Sequence, residues 1–127
     1  MRAEPGSRRP LGAREGAGRE AEAIAAGFLA ERGLHIVARN VRFRVGEIDL
    51  VAREGDTLVF VEVRLRRSHR YGGAAASITP AKRARLLRAV RGYLAGMRSY
   101  PNCRIDAVLL DRLDPGSIEW VRDIAGE

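Results

Sequence analysis

A single cysteine, Cys103, excludes an intramolecular disulfide and any zinc site built from several thiolates. No stretch approaches the ~18 to 20 apolar residues of a membrane-spanning helix. The amino-terminal stretch also lacks the apolar run of a secretory signal. These absences lead to the expectation of a cytoplasmic protein with no membrane partner. Lysine is nearly missing too: of the 23 cations only Lys82 is one. An arginine bias of this kind reflects a GC-rich coding sequence, so the arginine count alone says little about function. No internal repeat is visible. With 127 residues, 46% hydrophobic and 31% charged, the chain suits one globular domain with a core of its own.

Acids are absent from one long segment, and this absence is more informative. Between Glu62 and Asp106 lie 43 residues without a carboxylate but with eleven cations, against a whole-chain net charge of +7. The remainder holds 12 cations and 16 acids. A basic protein with no ligand would mix its signs more evenly. Segregation is the electrostatic footprint expected of a phosphate-backbone binder, and a basic surface without a ligand is the alternative.

Residues 1–17 hold Pro5, Pro10, Gly6, Gly12 and Gly16 and almost nothing large and apolar, so they read as a disordered arm before a domain spanning 18–127. Ala21, Ile24, Ala25, Phe28 and Leu29 recur at helical spacing and predict a helix over 18–32, with Gly33 as its cap. Strand-like segments follow at 34–39, 41–45, 47–52 and 57–65, and Glu54-Gly55 reads as the turn between the last two. Residues 66–78 read as a basic, Gly/Ala-rich loop. Thr79 is a good N-cap with Pro80 in the favoured first position. Leu86, Val90, Leu94 and Met97 give the ensuing helix an apolar face. Strands are expected again at 104–110 and 117–121. The order α-β-β-β-α-β-β predicts an α/β domain around one mixed sheet flanked by helices.

The hairpin over 47–65 carries the chemistry. Hydrophobic matching with a Glu54-Gly55 turn pairs Ile48 with Val61 and Leu50 with Val59, leaving Glu47, Asp49, Val51, Leu58, Phe60, Glu62 and Arg64 on the other face. Glu47 then lies opposite Glu62, with Asp49 one diagonal step away. Like charges opposed on a sheet are destabilising, and burial makes them worse. A divalent cation such as Mg²⁺ or Mn²⁺ removes the conflict, since it takes one or two carboxylates plus water and phosphate oxygens. The alternative is a salt-bridge lattice with Arg42, Arg44 and Arg64. On residue types alone both readings stand.

The runs ARNVR (38–42), GEIDLVA (46–52), FVEVRLR (60–66), ITPAKRARLLRAVRGYL (78–94) and RIDAV (104–108) resemble the YraN family of bacterial proteins. The resemblance covers residues 18–123. It implies a restriction-endonuclease-like core, related to archaeal Holliday-junction resolvases, whose signature is an Asp on one strand and Glu-x-Lys on the next. Carried over, Asp49 and Glu62 become metal ligands, with the Val63 carbonyl a further ligand and Glu22 approaching from the first helix. Glu47 belongs to the same run as a supporting acid. The chain departs from the family pattern in reading Ala21-Glu22 where Gly-Glu is usual. It also carries Arg64 in place of the signature lysine. Arginine can stabilise developing negative charge but stays protonated and cannot act as a base.

The expected function is therefore a Mg²⁺- or Mn²⁺-dependent endonuclease acting on structured DNA in preference to RNA, with Asp49, Glu62 and Arg64 as its catalytic residues. The rival is a nucleic-acid-binding module that keeps the nuclease fold without turnover. Arg66, Arg67, Arg70, Lys82, Arg83 and Arg85 are the expected nucleic-acid contacts, and a phosphate at the second helix would offset the unfavourable placement of cations in its first turn. Similarity to the resolvases adds the expectation of a homodimer. His69 and Tyr71 fall in the basic loop, and His35 reads as a satisfied structural residue. Phe43 and Trp120 read as packing residues. Asp106 reads either as an acid supporting the site or as the partner of Arg104.

Overall fold

The computed structural model describes residues 13–66 and 78–124. Helix α1 spans Ala13–Glu31, and strands β1 (His35–Phe43), β2 (Gly46–Glu54) and β3 (Thr57–Leu65) follow. Helix α2 spans Pro80–Ala95, then come β4 (Asn102–Leu110), a short 3₁₀ turn at Pro115–Ser117 and β5 (Ile118–Val121). The five strands form one sheet in the order β1-β2-β3-β4-β5. Neighbours are antiparallel except for β3 and β4, which run parallel across the α2 crossover. The mixed sheet flanked by helices is the expected architecture, and it is consistent with a nuclease-like core.

Each helix covers one face of the sheet. Ala21, Ala25, Ala26 and Leu29 of α1 join a core with Leu50, Ala52, Val59, Val61, Val63, Val108 and Leu110. The three alanines let the helix axis lie close to the strands, and Leu29 fills the space beyond them. On the opposite face Leu86, Ala89 and Val90 of α2 pack with Ile48, Val51, Leu58, Phe60 and Ile105. Phe60 meets Tyr93 edge-on, with ring centroids 5.5 Å apart. Both sheet faces are thus buried, which is why 48–52 reads as an unbroken apolar run interrupted only by Asp49.

Several boundaries differ from expectation. Helix α1 begins at Ala13, inside the stretch read as an arm, while residues 1–12 lie outside those described. One strand, His35–Phe43, replaces the two segments 34–39 and 41–45; its register shifts between Ile36 and Ala38, and Asn40 takes a φ of +52°. The hairpin turn is Gly55-Asp56, closed by a Glu54–Thr57 pair, because Gly55 takes a left-handed φ of +59° at its first position. The register is therefore Leu50 with Val61 and Ala52 with Val59, two residues from the predicted one. An even shift conserves faces. Ile48 is the exception, since it packs with Val51 on the α2 side while Leu50 faces α1. Helix α2 ends at Ala95, so Met97 does not extend its buried stripe and is 38% exposed. His35, read as a satisfied structural residue, lies on the edge strand β1 and is exposed there.

Candidate functional site

At the open end of the β2–β3 hairpin the structure encloses a cavity of about 380 Å³. Glu22, Glu47, Asp49, Glu62, Val63, Arg64, Lys82, Arg85 and several apolar groups line it. Four acids and three cations from four separate elements share this space.

Its acids are held from different directions. Asp49 is 7% exposed, and its Oδ2 accepts the Val63 backbone N–H at 2.8 Å. The paired ladder of β2 and β3 ends at Leu50–Val61, and Asp49 and Glu62 follow immediately beyond it on their two strands. Helix α1 carries Glu22, which follows the buried Ala21, into hydrogen-bonding contact with Asp49 and Asn40. A hydrogen bond between two carboxyl groups needs a proton on one of them. Burial, then the neighbouring Glu62, push the Asp49 carboxyl up to about 8, and the Val63 N–H only partly offsets them. Burial also raises Glu22, the contacts to Asp49 and Asn40 pulling it back. Glu62 is raised by burial against the opposing pull of Arg64 and Lys82.

Arg64 of the cavity and Arg42 of the neighbouring β1 contact acids at long range. Arg64 Nη1 lies 3.9 Å from Glu62 Oε2, and Arg42 Nε lies 3.7 Å from Glu47 Oε1. These distances sit at the outer limit of an ion pair, so of the alternative lattice with Arg42, Arg44 and Arg64 only two loose contacts, from Arg42 and Arg64, are formed among the described residues. Asp49 lies deepest in the cluster, Glu62 is largely buried beside it, and Glu22 is half-buried. Among the described residues no three His, Cys, Asp or Glu side chains are placed to grip one ion together. A magnesium-type site asks for less: one or two carboxylates, with water and phosphate oxygens completing the shell. The donor set of Asp49, Glu62 and the Val63 backbone, with Glu22 and Glu47 nearby, suits a hard cation of that kind.

Lys82 enters from the first turn of α2. Thr79 caps this helix, its Oγ1 accepting the Lys82 backbone N–H at 3.2 Å, and Pro80 opens it. Gly46 permits the approach of α2 to β2, since a Cβ there would collide with the Arg85 carbonyl oxygen. Burial, then Arg64, hold the Lys82 amine below the usual lysine range.

The other predicted contacts are distributed differently. Arg83 and Arg85 are exposed on α2, beside Arg88 and Arg91. Arg67 and Arg70, together with His69 and Tyr71, lie outside the described residues. Arg66 departs from its expected place on the phosphate-facing surface. It is 8% exposed, with Nε 3.0 Å from Asp111 and Nη1 3.1 Å from Glu119, so its charge is used inside the fold.

Asp106, the remaining buried acid, lies on β4 and is fully satisfied there. It accepts from Arg104 Nε (3.0 Å) and Nη2 (3.2 Å), Trp120 Nε1 (2.9 Å) and the Asp123 backbone N–H (2.9 Å). Of the two roles left open for it, the pairing with Arg104 is the one the fold uses. Trp120 also packs edge-on against Phe28, as a packing residue should.

Asn40 was not singled out from sequence. Its register position, between the Arg39–Leu50 and Val41–Ile48 pairs, sets it across from Asp49. An asparagine in mid-strand was the available signal, since asparagine is depleted in strands yet tolerates a left-handed φ.

Residues 21–110 match the model of the uncharacterised protein family UPF0102. The chain belongs to the UPF0102 family. This is the YraN group anticipated from the motif runs, and the match takes in every acid of the cavity. A UPF0102 protein of Nitrosomonas europaea is 53% identical over 110 residues, covering 87% of this chain and 93% of its own. One from Nitrosospira multiformis is 50% identical over 106 residues, covering 84% and 89%. One from Cupriavidus metallidurans is 51% identical over 111 residues, covering 87% and 79%. Among the described residues of this UPF0102 chain, no helix is long and apolar enough to cross a membrane.

Proposed function

We propose that the protein is a metal-dependent endonuclease that hydrolyses phosphodiesters in structured DNA, with RNA the less favoured substrate. The observation carrying this reading is the cavity in which Glu22, Asp49 and Glu62 crowd together beneath Arg64 and Lys82. Crowded, proton-retaining carboxyls are costly to a fold that gains nothing from them. Mg²⁺ or Mn²⁺ would be held by Asp49, Glu62 and the Val63 carbonyl, with Glu22 and Glu47 in support. When bound, such an ion supplies Lewis-acid chemistry toward the phosphodiester and a more acidic water. Arg64 stabilises negative charge that develops on the phosphate, and it steadies Glu62. The exposed Arg83 and Arg85 hold the backbone, and Arg67 and Arg70 are the further contacts read from the sequence. Backbone contacts of this kind carry little base information, which favours recognition of junctions or flaps over base sequence. Two copies, as in the resolvases, would bring two such cavities to two strands, and sedimentation tests that pairing.

The test is cleavage of end-labelled single-stranded, duplex, flapped and four-way-junction DNA with Mn²⁺ or Mg²⁺. Wild type runs beside Asp49→Asn and Arg64→Lys. Metal-dependent cleavage that disappears in Asp49→Asn is the expected result. Silence from all three proteins, together with salt-dependent binding, would transfer the conclusion to the second reading, a non-catalytic nucleic-acid-binding module. What favours that reading is Arg64, which stands in the lysine position and leans toward Glu62 at 3.9 Å.

A further inference from the structure

The cavity holds three cations, and their surroundings differ. Arg64 lies beside Glu62 at 3.9 Å, so part of its charge is directed at an acid of the cluster. Arg85 is exposed at the rim. Lys82 is half-buried, and among the described residues no carboxylate lies within ion-pair distance of its amine. It nonetheless feels Glu62, Arg64 and Arg85 through space, which locates its charge between the acids and the basic face of α2.

Lys82 is also the sole lysine among 23 cations. In a chain where arginine serves nearly every other basic position, a lysine that survives in a cavity asks for a chemical reason. An ammonium is a compact charge with three rotatable donors, whereas a guanidinium is a wide planar fork. Only the former can follow one oxygen closely in a narrow space. The backbone around Lys82 is firmly placed as well: Thr79 receives its N–H, and Gly46 is open where any side chain would strike the Arg85 carbonyl.

We infer that Lys82 is a catalytic residue, its amine contacting a non-bridging oxygen of the phosphate that is cleaved. This inference rests on the nuclease reading above and adds to Arg64 of β3 a second substrate-facing cation, supplied by α2. Lys82 thereby separates from Arg83 and the other α2 arginines, which bind the backbone without touching the reacting group.

Because Lys82 is the sole lysine, protein grown on ε-¹³C-lysine carries a single labelled side chain. Its resonance is followed on adding Ca²⁺ with a thymidine dinucleotide, which has one phosphodiester, and separately with thymidine, which has none. A shift with the dinucleotide alone is expected. In parallel, cleavage rates at saturating junction DNA are compared for wild type, Lys82→Met, Lys82→Arg and the distant surface control Arg53→Gln. Lys82→Met should lose about 100-fold in rate, the scale of removing one preorganised donor, with nearly unchanged DNA affinity. Lys82→Arg should recover only a small part of the rate, and Arg53→Gln should match wild type. A resonance that does not respond to the dinucleotide overturns the contact, whatever the rates. Active wild type with equally active Lys82→Met overturns the catalytic role while leaving the nuclease reading intact. Inactive wild type whose Lys82 signal still moves removes the nuclease reading, and with it the catalytic role, but keeps the phosphate contact.

Discussion

Asp49 and Asp106 are both buried aspartates in this sheet, and their surroundings are opposite. Asp106 is met by four donors, from Arg104, Trp120 and the Asp123 backbone. Asp49 is met by one backbone N–H and by three further acids that raise its pKa. The Asp106 cluster closes on itself and ties β4 to β5 and the carboxyl-terminal segment. The Asp49 cluster gives its aspartate one donor and opens into a cavity. Burial alone therefore does not distinguish a structural acid from a functional one; the balance of donors against acceptors does.

Breaking each cluster should separate them most sharply. Asp49→Asn should reduce metal-dependent cleavage to the metal-free background without lowering unfolding stability in the absence of metal. Asp106→Ala should do the reverse, costing roughly 3 to 5 kcal/mol because the Arg104 guanidinium and the indole N–H lose their acceptor. Urea unfolding of the two variants, with cleavage where each folds, checks the pair.

The pH dependence gives a second contrast. Asp49 retains its proton in the metal-free fold up to about pH 8, above its ordinary carboxylate value. This contribution to stability is complete at low pH and disappears as pH rises from the carboxylate range through about 8. Metal binding must displace the same proton, so affinity for Mn²⁺ should rise close to tenfold per pH unit below about 8, with proton release. Calorimetry in buffers of different ionisation heat measures both quantities.

Two smaller effects test how α2 is brought to the cavity. Gly46→Ala sets a methyl against the Arg85 carbonyl and should cost about 1 to 3 kcal/mol as an overpacked contact, with an accompanying loss of cleavage. Thr79→Ala removes the cap and should cost about 1 kcal/mol, read from thermal unfolding.

Local chemistry was the most legible part of the chain. Thr79-Pro80 announced the start of α2, and the alanine stripe of α1 announced its buried face. Glu54-Gly55 announced a turn, but the register moved by two residues because the glycine was needed at the first turn position, where φ is positive. The even shift kept Leu50, Val59 and Val61 on one face, whereas Ile48 changed face beside Asp49. What could not be read depended on distant partners. Arg66 looked like one more cation of a basic loop, yet Asp111 and Glu119, 45 and 53 residues further on, draw it inward. Asn40 gave a weak local signal, and its relation to Glu22 and Asp49 emerges only when α1 and β2 are placed together.

The central claim is that the Asp49 cluster is a cation site and the Asp106 cluster is not. Calorimetric titration of Mn²⁺ into wild type, Asp49→Asn and Glu54→Gln tests it most directly, Glu54 being the acid that pairs with Arg104 beside Asp106. Saturable binding by wild type and Glu54→Gln, lost in Asp49→Asn, is the predicted result. Equal binding by wild type and Asp49→Asn would contradict it.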